Sequence, residues 1–254
     1  MIDTDLAPNG VATVTLMRAA KLNTLNTAAM EALVAALEAL GRDAGVRAVV
    51  LRGEGERAFI GGADITEMAA LDPATARTFI TNVHRCCAAI RALPVPVVAR
   101  LAGYTLGAGL EVAAACDMRI AATDAVFGMP EVRIGIPSVV EAALLPGLIG
   151  WGRTRLLLLT GDRVDAATAL AWGLVEETAP AAGLDAAIRA RTESIVASGP
   201  RAVRLQKALI RDWEGLSPEA AISRGVDAFV DAFATDEPAR MMGAFLDEMR
   251  RRRG

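Results

Sequence analysis

The sequence predicts an α/β protein in which alternating strands and helices give way to a helical C-terminal region. Three observations carry that expectation. Short runs rich in β-branched residues alternate with segments of helical apolar period through the first two thirds of the chain. From Val139 onward helical patterns dominate, with one short strand among them. The chain has 254 residues, 53% of them hydrophobic, enough to bury one large core or to fill a main domain with a smaller appendage.

Val11–Met17 and Arg47–Arg52 read as strands, and between them Thr27–Leu40 places Met30, Leu33, Val34, Leu37 and Leu40 on one helical face. A second unit follows. Asp72–Leu93 has helical spacing (Phe79, Val83, Cys87, Ile90), and Pro94 and Pro96 then turn the chain into an extended Val95–Leu101. Next come a glycine-containing turn at Gly103–Gly109, a small-residue helix at Leu110–Cys116, and strands at Met118–Ala121 and Phe127–Gly128. This alternation implies a layer with substantial parallel character. Helices are expected at Val140–Leu148, Gly152–Leu159 and Ala166–Trp172, a strand at Leu174–Glu177, and then helices at Leu184–Ala197, Pro200–Trp213, Pro218–Ala234 and Pro238–Arg252. Ser217-Pro218 and Asp236-Glu237-Pro238 look like helix starts, a capping side chain followed by proline in the first turn. The apolar stripe Val226, Phe229, Val230 and Phe233 is more than a lone tail could hide, so these helices should pack on the main domain or on another subunit. We therefore expect a core over residues 1–195 and a helical region over 196–254.

Charge and composition exclude several functions. The net charge is −3, with no basic block except the last few residues, which argues against nucleic-acid binding. No stretch approaches the roughly 18 consecutive apolar residues of a membrane span. The N-terminal Asp3, Asp5, Pro8, Asn9 and Gly10 carry no export signature, and Cys86, Cys87 and Cys116 read as reduced thiols, so the expected compartment is the cytoplasm. One histidine and no CxxC leave no plausible metal site. Any Ser-His or Cys-His nucleophile would need His84, which the helical pattern makes a helix-surface or packing residue.

Two glycine loops can do chemistry. Gly61-Gly62-Ala63-Asp64-Ile65 and Gly103-Tyr104-Thr105-Leu106-Gly107-Ala108-Gly109-Leu110-Glu111 each follow a strand and lead into a helical stretch. Two such loops can aim two N–H donors at one oxygen, the requirement of an oxyanion hole; alternatively the glycines only allow tight packing. Neither matches GxGxxG or GxxxxGK[ST]. Glu111 sits in an apolar helix where burial is costly without a purpose, and Glu131 follows Met129-Pro130 at a strand end. Two carboxylates in one pocket can divide proton transfer; the bland alternative is a helix N-terminal charge and a surface turn residue.

Taken together, Ala58–Met68, Gly103–Glu111, Cys116-Asp117 and Phe127–Glu131 closely resemble the enoyl-CoA hydratase/isomerase (crotonase) family. Lys21–Asn26, Leu159-Thr160-Gly161 with Ala169–Val175, and Ala244-Phe245-Leu246 extend the resemblance over nearly the whole chain. It implies a crotonase-like spiral of β-β-α units with a helical C-terminal trimerisation region, assembled as homotrimers that commonly pair into hexamers. It implies an acyl-CoA thioester substrate, coenzyme A being part of that substrate, with no separate cofactor. The oxyanion-hole N–H groups map to Ala63 and Ala108, and the two catalytic glutamates of the hydratases to Glu111 and Glu131. Coenzyme A contacts map to Lys21, Asn23, Leu25, Ala63, Asp64, Ile65 and, from a neighbouring subunit, Phe245.

The chain departs from the family pattern at several positions. Glu248 and Met249 stand where Lys and Arg are common, and Arg250–Arg253 either replace them at the coenzyme A phosphates or form a solvated terminus. Gly135-Ile136-Pro137-Ser138-Val139-Val140-Glu141 replaces a glycine-rich turn, which bears on the acyl pocket and on the orientation of Glu131. Glu141 is then a third acid, read as a helix N-terminal charge. Thr66 replaces a frequent lysine and Ala102 a frequent asparagine. The expected reaction is hydration of a trans-2-enoyl-CoA; the alternatives are an isomerase, decarboxylase or thioester hydrolase working through the same enolate, or a non-catalytic acyl-CoA-binding homologue.

Overall fold

The computed structural model describes residues 1–253, and of Arg253 only the backbone. Two sheets run side by side along a spiral. Strand β1 (Ile2–Leu6) forms an antiparallel hairpin with β2 (Val11–Leu16), and helix α1 (Thr27–Arg42) carries the chain to β3 (Ala48–Gly53), parallel to β2. Strand β4 (Ala58–Ile60) then opens the second sheet. Helices α2 (Ile65–Met68) and α3 (Pro73–Ala92) lead to β5 (Val97–Leu101) in the first sheet and β6 (Tyr104–Leu106) in the second. After α4 (Ala108–Ala115) the pattern repeats with β7 (Met118–Ala122) and β8 (Val126–Gly128). Each turn of the spiral lays one strand in each sheet, so the parallel β-β-α arrangement expected from the sequence is present. Strand β9 (Arg163–Asp165) closes the second sheet antiparallel to β8, and β10 (Glu177–Ala179) closes the first parallel to β7.

Local sequence explains most of these elements. Strand β2, on the hairpin side, alternates buried with partly buried residues, whereas β5 is buried throughout, as befits a parallel strand covered on both faces. Asn26 caps α1 by accepting from Ala29 N–H at 2.9 Å. Asp72 and Thr75 form a reciprocal box at the start of α3, ahead of Pro73 in the first turn. The faces meet where Leu33 and Leu37 of α1 and Val83, Cys87 and Ile90 of α3 join the core.

The remaining helices are α5 (Leu145–Thr160), α6 (Ala166–Trp172), α7 (Leu184–Ala197), α8 (Pro200–Trp213), α9 (Pro218–Ala232) and α10 (Glu237–Arg253). Lys207 ties α8 to the core: its buried ammonium donates to Ile90 O, to Val95 O at 2.9 Å and to Asp117 Oδ2 at 2.7 Å. Ser217 caps α9 as expected. Glu237 starts α10, yet its carboxylate accepts from the N–H groups of Arg201 and Ala202 and so caps α8 across the gap. Along α9 the apolar stripe faces outward, with Phe229 68% and Val226 61% exposed. No helix among the described residues is long and apolar enough to cross a membrane.

Several sequence expectations need correction. Strand β1 was not anticipated, because its Ile-Asp-Thr-Asp-Leu is largely exposed and carries little apolar signal. Leu174 and Val175 are buried but lie outside a strand; α6 ends at Gly173 in the left-handed region, Leu174 N–H folds back to Ala169 O, and β10 begins only at Glu177. The segment expected as a helix over Val140–Leu148 is a 3-10 turn, Val140–Leu144, running into α5, whose helical geometry breaks at Gly150. Helix α4 begins at Ala108, two residues before the expected start, and the Gly103–Gly109 turn contains β6.

Candidate active site

The two glycine loops come together because their strands, β4 and β6, are parallel neighbours in the second sheet. Leu25 N–H donates to Gly62 O and Asp64 N–H to Leu25 O, an isolated parallel bridge that uses the groups of residues 62 and 64 and leaves the N–H of Ala63 free of it. Ala108 is the first residue of α4, so its N–H is one of the unpaired donors at that helix end. Gly109 lets α4 approach β4 so closely that a Cβ there would lie 2.1 Å from Ile60 O.

Ala63, Ala108, Glu111 and Glu131 all line one cavity of about 620 Å³. Its remaining wall is largely apolar, with Met68, Leu71, Phe79, Ile80, Ile136 and Val139. Glu111 is in the first turn of α4 and 3% exposed. Burial pushes its carboxyl up to about 8, with the charges of Glu131 and Glu141 adding to the effect and the backbone N–H groups of Ala142 and Val139 opposing it. Glu131 lies on the 3-10 turn Pro130–Ile134. Burial raises its carboxyl too, and the Ser138 hydroxyl, donating to Oε2 at 2.8 Å, pulls the other way. Gly107 makes room for it: with φ at +52°, a Cβ on Gly107 would lie 2.4 Å from Glu131 Oε1. The glycine loop and the second carboxylate are therefore one structural unit. The arrangement can hold a water between a protonated and an ionised carboxyl beside two backbone donors.

The other sequence-predicted residues are distributed around this cavity. Asn23 is fully buried, and its amide is committed to Glu54 O, to Ala58 O at 2.8 Å and to Arg18 N–H, so its side chain braces the loop. Leu25 is buried, and Lys21 is exposed at the end of a 3-10 turn. Asp64 caps α2 and pairs with Arg18 at 3.1 Å; burial alone would raise its carboxyl, but the Arg18 bond and backbone donors outweigh that and hold it below its ordinary range. Ile65 is exposed and lines a smaller adjoining pocket that shares Ala63, Met68, Glu131 and Ile136 with the cavity. Phe245 lies on α10, 62% exposed and absent from the cavity lining within this chain. Of the Arg250–Arg253 run, Arg250 and Arg252 pair with Asp247 and Glu248 on the same helix, and the side chain of Arg253 lies outside the described residues. The three cysteines are free and buried, and burial pushes Cys86 and Cys116 up to about 12, which leaves them poor nucleophiles.

Two features were not read from the sequence. Ser138 orients Glu131, a contact between residues seven apart whose only hint was the loss of the glycine-rich turn. Glu141, expected as a helix-end charge, is buried and bonded to His84 Nδ1 at 2.7 Å. The hint there was an acid opening the apolar run Ala142–Leu145, together with the single histidine of the chain.

Comparison with known proteins gives a consistent picture. A model of the enoyl-CoA hydratase/isomerase family matches residues 7–252. The short-chain-enoyl-CoA hydratase of Clostridium acetobutylicum is 33% identical over 239 residues, covering 94% of this chain and 92% of the relative. The crotonyl-CoA hydratase of Syntrophomonas wolfei is 35% identical over 228 residues, covering 89% of this chain and 88% of the relative. The crystal structure of an enoyl-CoA hydratase from Bacillus anthracis superposes with a TM-score of 0.94 at 32% identity, over 97% of this chain and 96% of the other. The protein belongs to the enoyl-CoA hydratase/isomerase family.

Proposed function

We propose that this protein hydrates a trans-2-enoyl-CoA thioester to the 3-hydroxyacyl-CoA. The observation that carries this reading is the meeting of Ala63, Ala108, Glu111 and Glu131 in one cavity whose other wall is largely apolar. The thioester carbonyl takes the two backbone N–H groups, and their dipoles stabilise the enolate oxygen as charge develops there. A water held by both carboxyls adds its oxygen to the β-carbon. It loses a proton to the ionised member while the protonated member delivers one to the α-carbon. The product gains one water in total, and the pair again holds one proton between its two members.

Coenzyme A lies along the backbone of Lys21–Leu25 and Ala63–Ile65, with Phe245 reaching it from a neighbouring subunit. The commitment of the Asn23 amide within the loop supports backbone recognition there. The outward stripe of α9 and the exposed Phe245 of α10 support assembly through these helices, as a homotrimer or a hexamer of two trimers. Three unpaired thiols fit a cytoplasmic location.

The test is loss of the enoyl-thioester ultraviolet absorbance when crotonyl-CoA is mixed with the purified protein, alongside Glu111→Gln and Glu131→Gln. Rapid loss with the parent and a fall on the order of 10²–10⁴ in each variant is expected. A folded parent that leaves the absorbance unchanged would overturn the hydratase reading.

A further inference from the structure

Glu141 is a buried acid that the hydration chemistry does not use. It stands on the 3-10 turn Val140–Leu144, its Oε1 accepts from His84 Nδ1 on α3 at 2.7 Å, and its Oε2 is buried without a hydrogen-bond donor among the described residues. The turn itself is held against preference. Val140, a β-branched residue, has φ at +38°, a conformation that persists only where the surroundings over-determine it. Beside it, Val139 shares the cavity wall with Glu111, and the Ala142 N–H closes the turn on Val139 O at 2.9 Å. The same four-residue stretch, 139–142, therefore sets a strained backbone and a buried acid beside one catalytic carboxyl, and among the described residues a single side-chain bond ties it to α3.

We propose that His84 and Glu141 form a positioning pair for Glu111, the His84–Glu141 bond clamping the 139–142 turn to α3 so that its backbone and the Glu141 carboxyl stay against Glu111. This inference rests on the assignment of Glu111 to the reaction. The groups facing Glu111 are Glu131 from the 130–134 turn, Glu141 from the 140–144 turn and Cys87 from α3. His84 of α3 faces Glu141, whose charge also acts on Cys86 and Cys87 of α3 and on Glu111 of α4; the Cys86 thiol itself points to Met30 O on α1. On α5, Arg153 and Arg155 lie over the rings of Trp172 and Trp151. The negative end of Glu141 that His84 does not reach acts on Glu111 as a like charge, so the pair also sets how tightly Glu111 holds its proton.

The experiment has one arm that does not need turnover. With carboxyl-labelled glutamate, the Glu111 signal is identified by its absence in Glu111→Gln and titrated by ¹³C NMR. Glu141→Gln is expected to move that titration to lower pH, by on the order of 1. In the second arm His84→Phe, a change at a side chain 54% exposed and so compatible with folding, lowers kcat about tenfold at nearly constant KM. His84→Asn, whose amide can donate from the position of Nδ1, restores most of it. An unmoved Glu111 titration in folded Glu141→Gln, or equal kcat in His84→Phe, His84→Asn and the parent, would overturn the proposal. A parent that does not hydrate crotonyl-CoA would instead count against the hydratase reading, and the titration arm would still report on the pair.

Discussion

Replacing Glu111 with glutamine should make the protein more stable and far less active, and the gain should depend on pH. The carboxyl is 3% exposed in the folded chain and binds its proton up to about 8, whereas an unfolded glutamate releases it near 4.5. The folded state is therefore the tighter proton binder between those values. Its stability falls as pH rises from about 4.5, is lost progressively up to about 8, and is flat beyond. At 1.36 kcal/mol per pH unit, the penalty reaches about 3 kcal/mol at pH 7. Glutamine carries no such penalty. Urea denaturation at fixed protomer concentration, run at pH 5, 7 and 8.5, should show the variant's advantage growing from about zero to a few kcal/mol. An advantage that stays constant across that range, or a variant less stable throughout, would refute the claim that Glu111 is held protonated by its surroundings.

Gly107→Ala should cripple the site by displacing Glu131, with both carboxylates still in the sequence. The new methyl would lie 2.4 Å from Glu131 Oε1, on a backbone with φ at +52°. Hydration should fall to about the level of Glu131→Gln, and the double variant should be no worse than either, because both changes remove the same group; a kinetic cycle on crotonyl-CoA checks this. Lys207→Met should cost about 1–3 kcal/mol, read from a denaturation midpoint, because it leaves two buried carbonyls without the ammonium that satisfies them, whereas the exposed Asp117 keeps the Val97 N–H; activity per folded protomer is unchanged.

How legible the molecule was in its sequence depended on how local each cause was. The span Pro200–Trp213 was read to the residue, because glycine and proline mark its start and a strong apolar stripe defines its length. Glu111 stood out because a carboxylate leading directly into the apolar run Val112–Cys116 has no ordinary reason to be there, and the structure does bury it. Strand β10 was placed three residues early, because Leu174 and Val175 carry a strand's composition but are buried as the apolar seal after α6. The break at Gly150 within α5 was anticipated only as a gap between two helices.

The sequence by itself determined the alternation of strands and helices, the cap at Ser217, the two glycine loops and the pair of glutamates. These follow from periodicity, capping and backbone freedom, which act over a few residues. Only the tertiary structure decided which of these features meet. Glu131 rests on Gly107 because β6 and β8 are parallel neighbours, Glu237 caps α8 from another helix, and His84 reaches Glu141 across a separation of 57 residues. Such contacts carry no local pattern, because each side chain is ordinary in its own segment and gains its role from what the spiral brings against it.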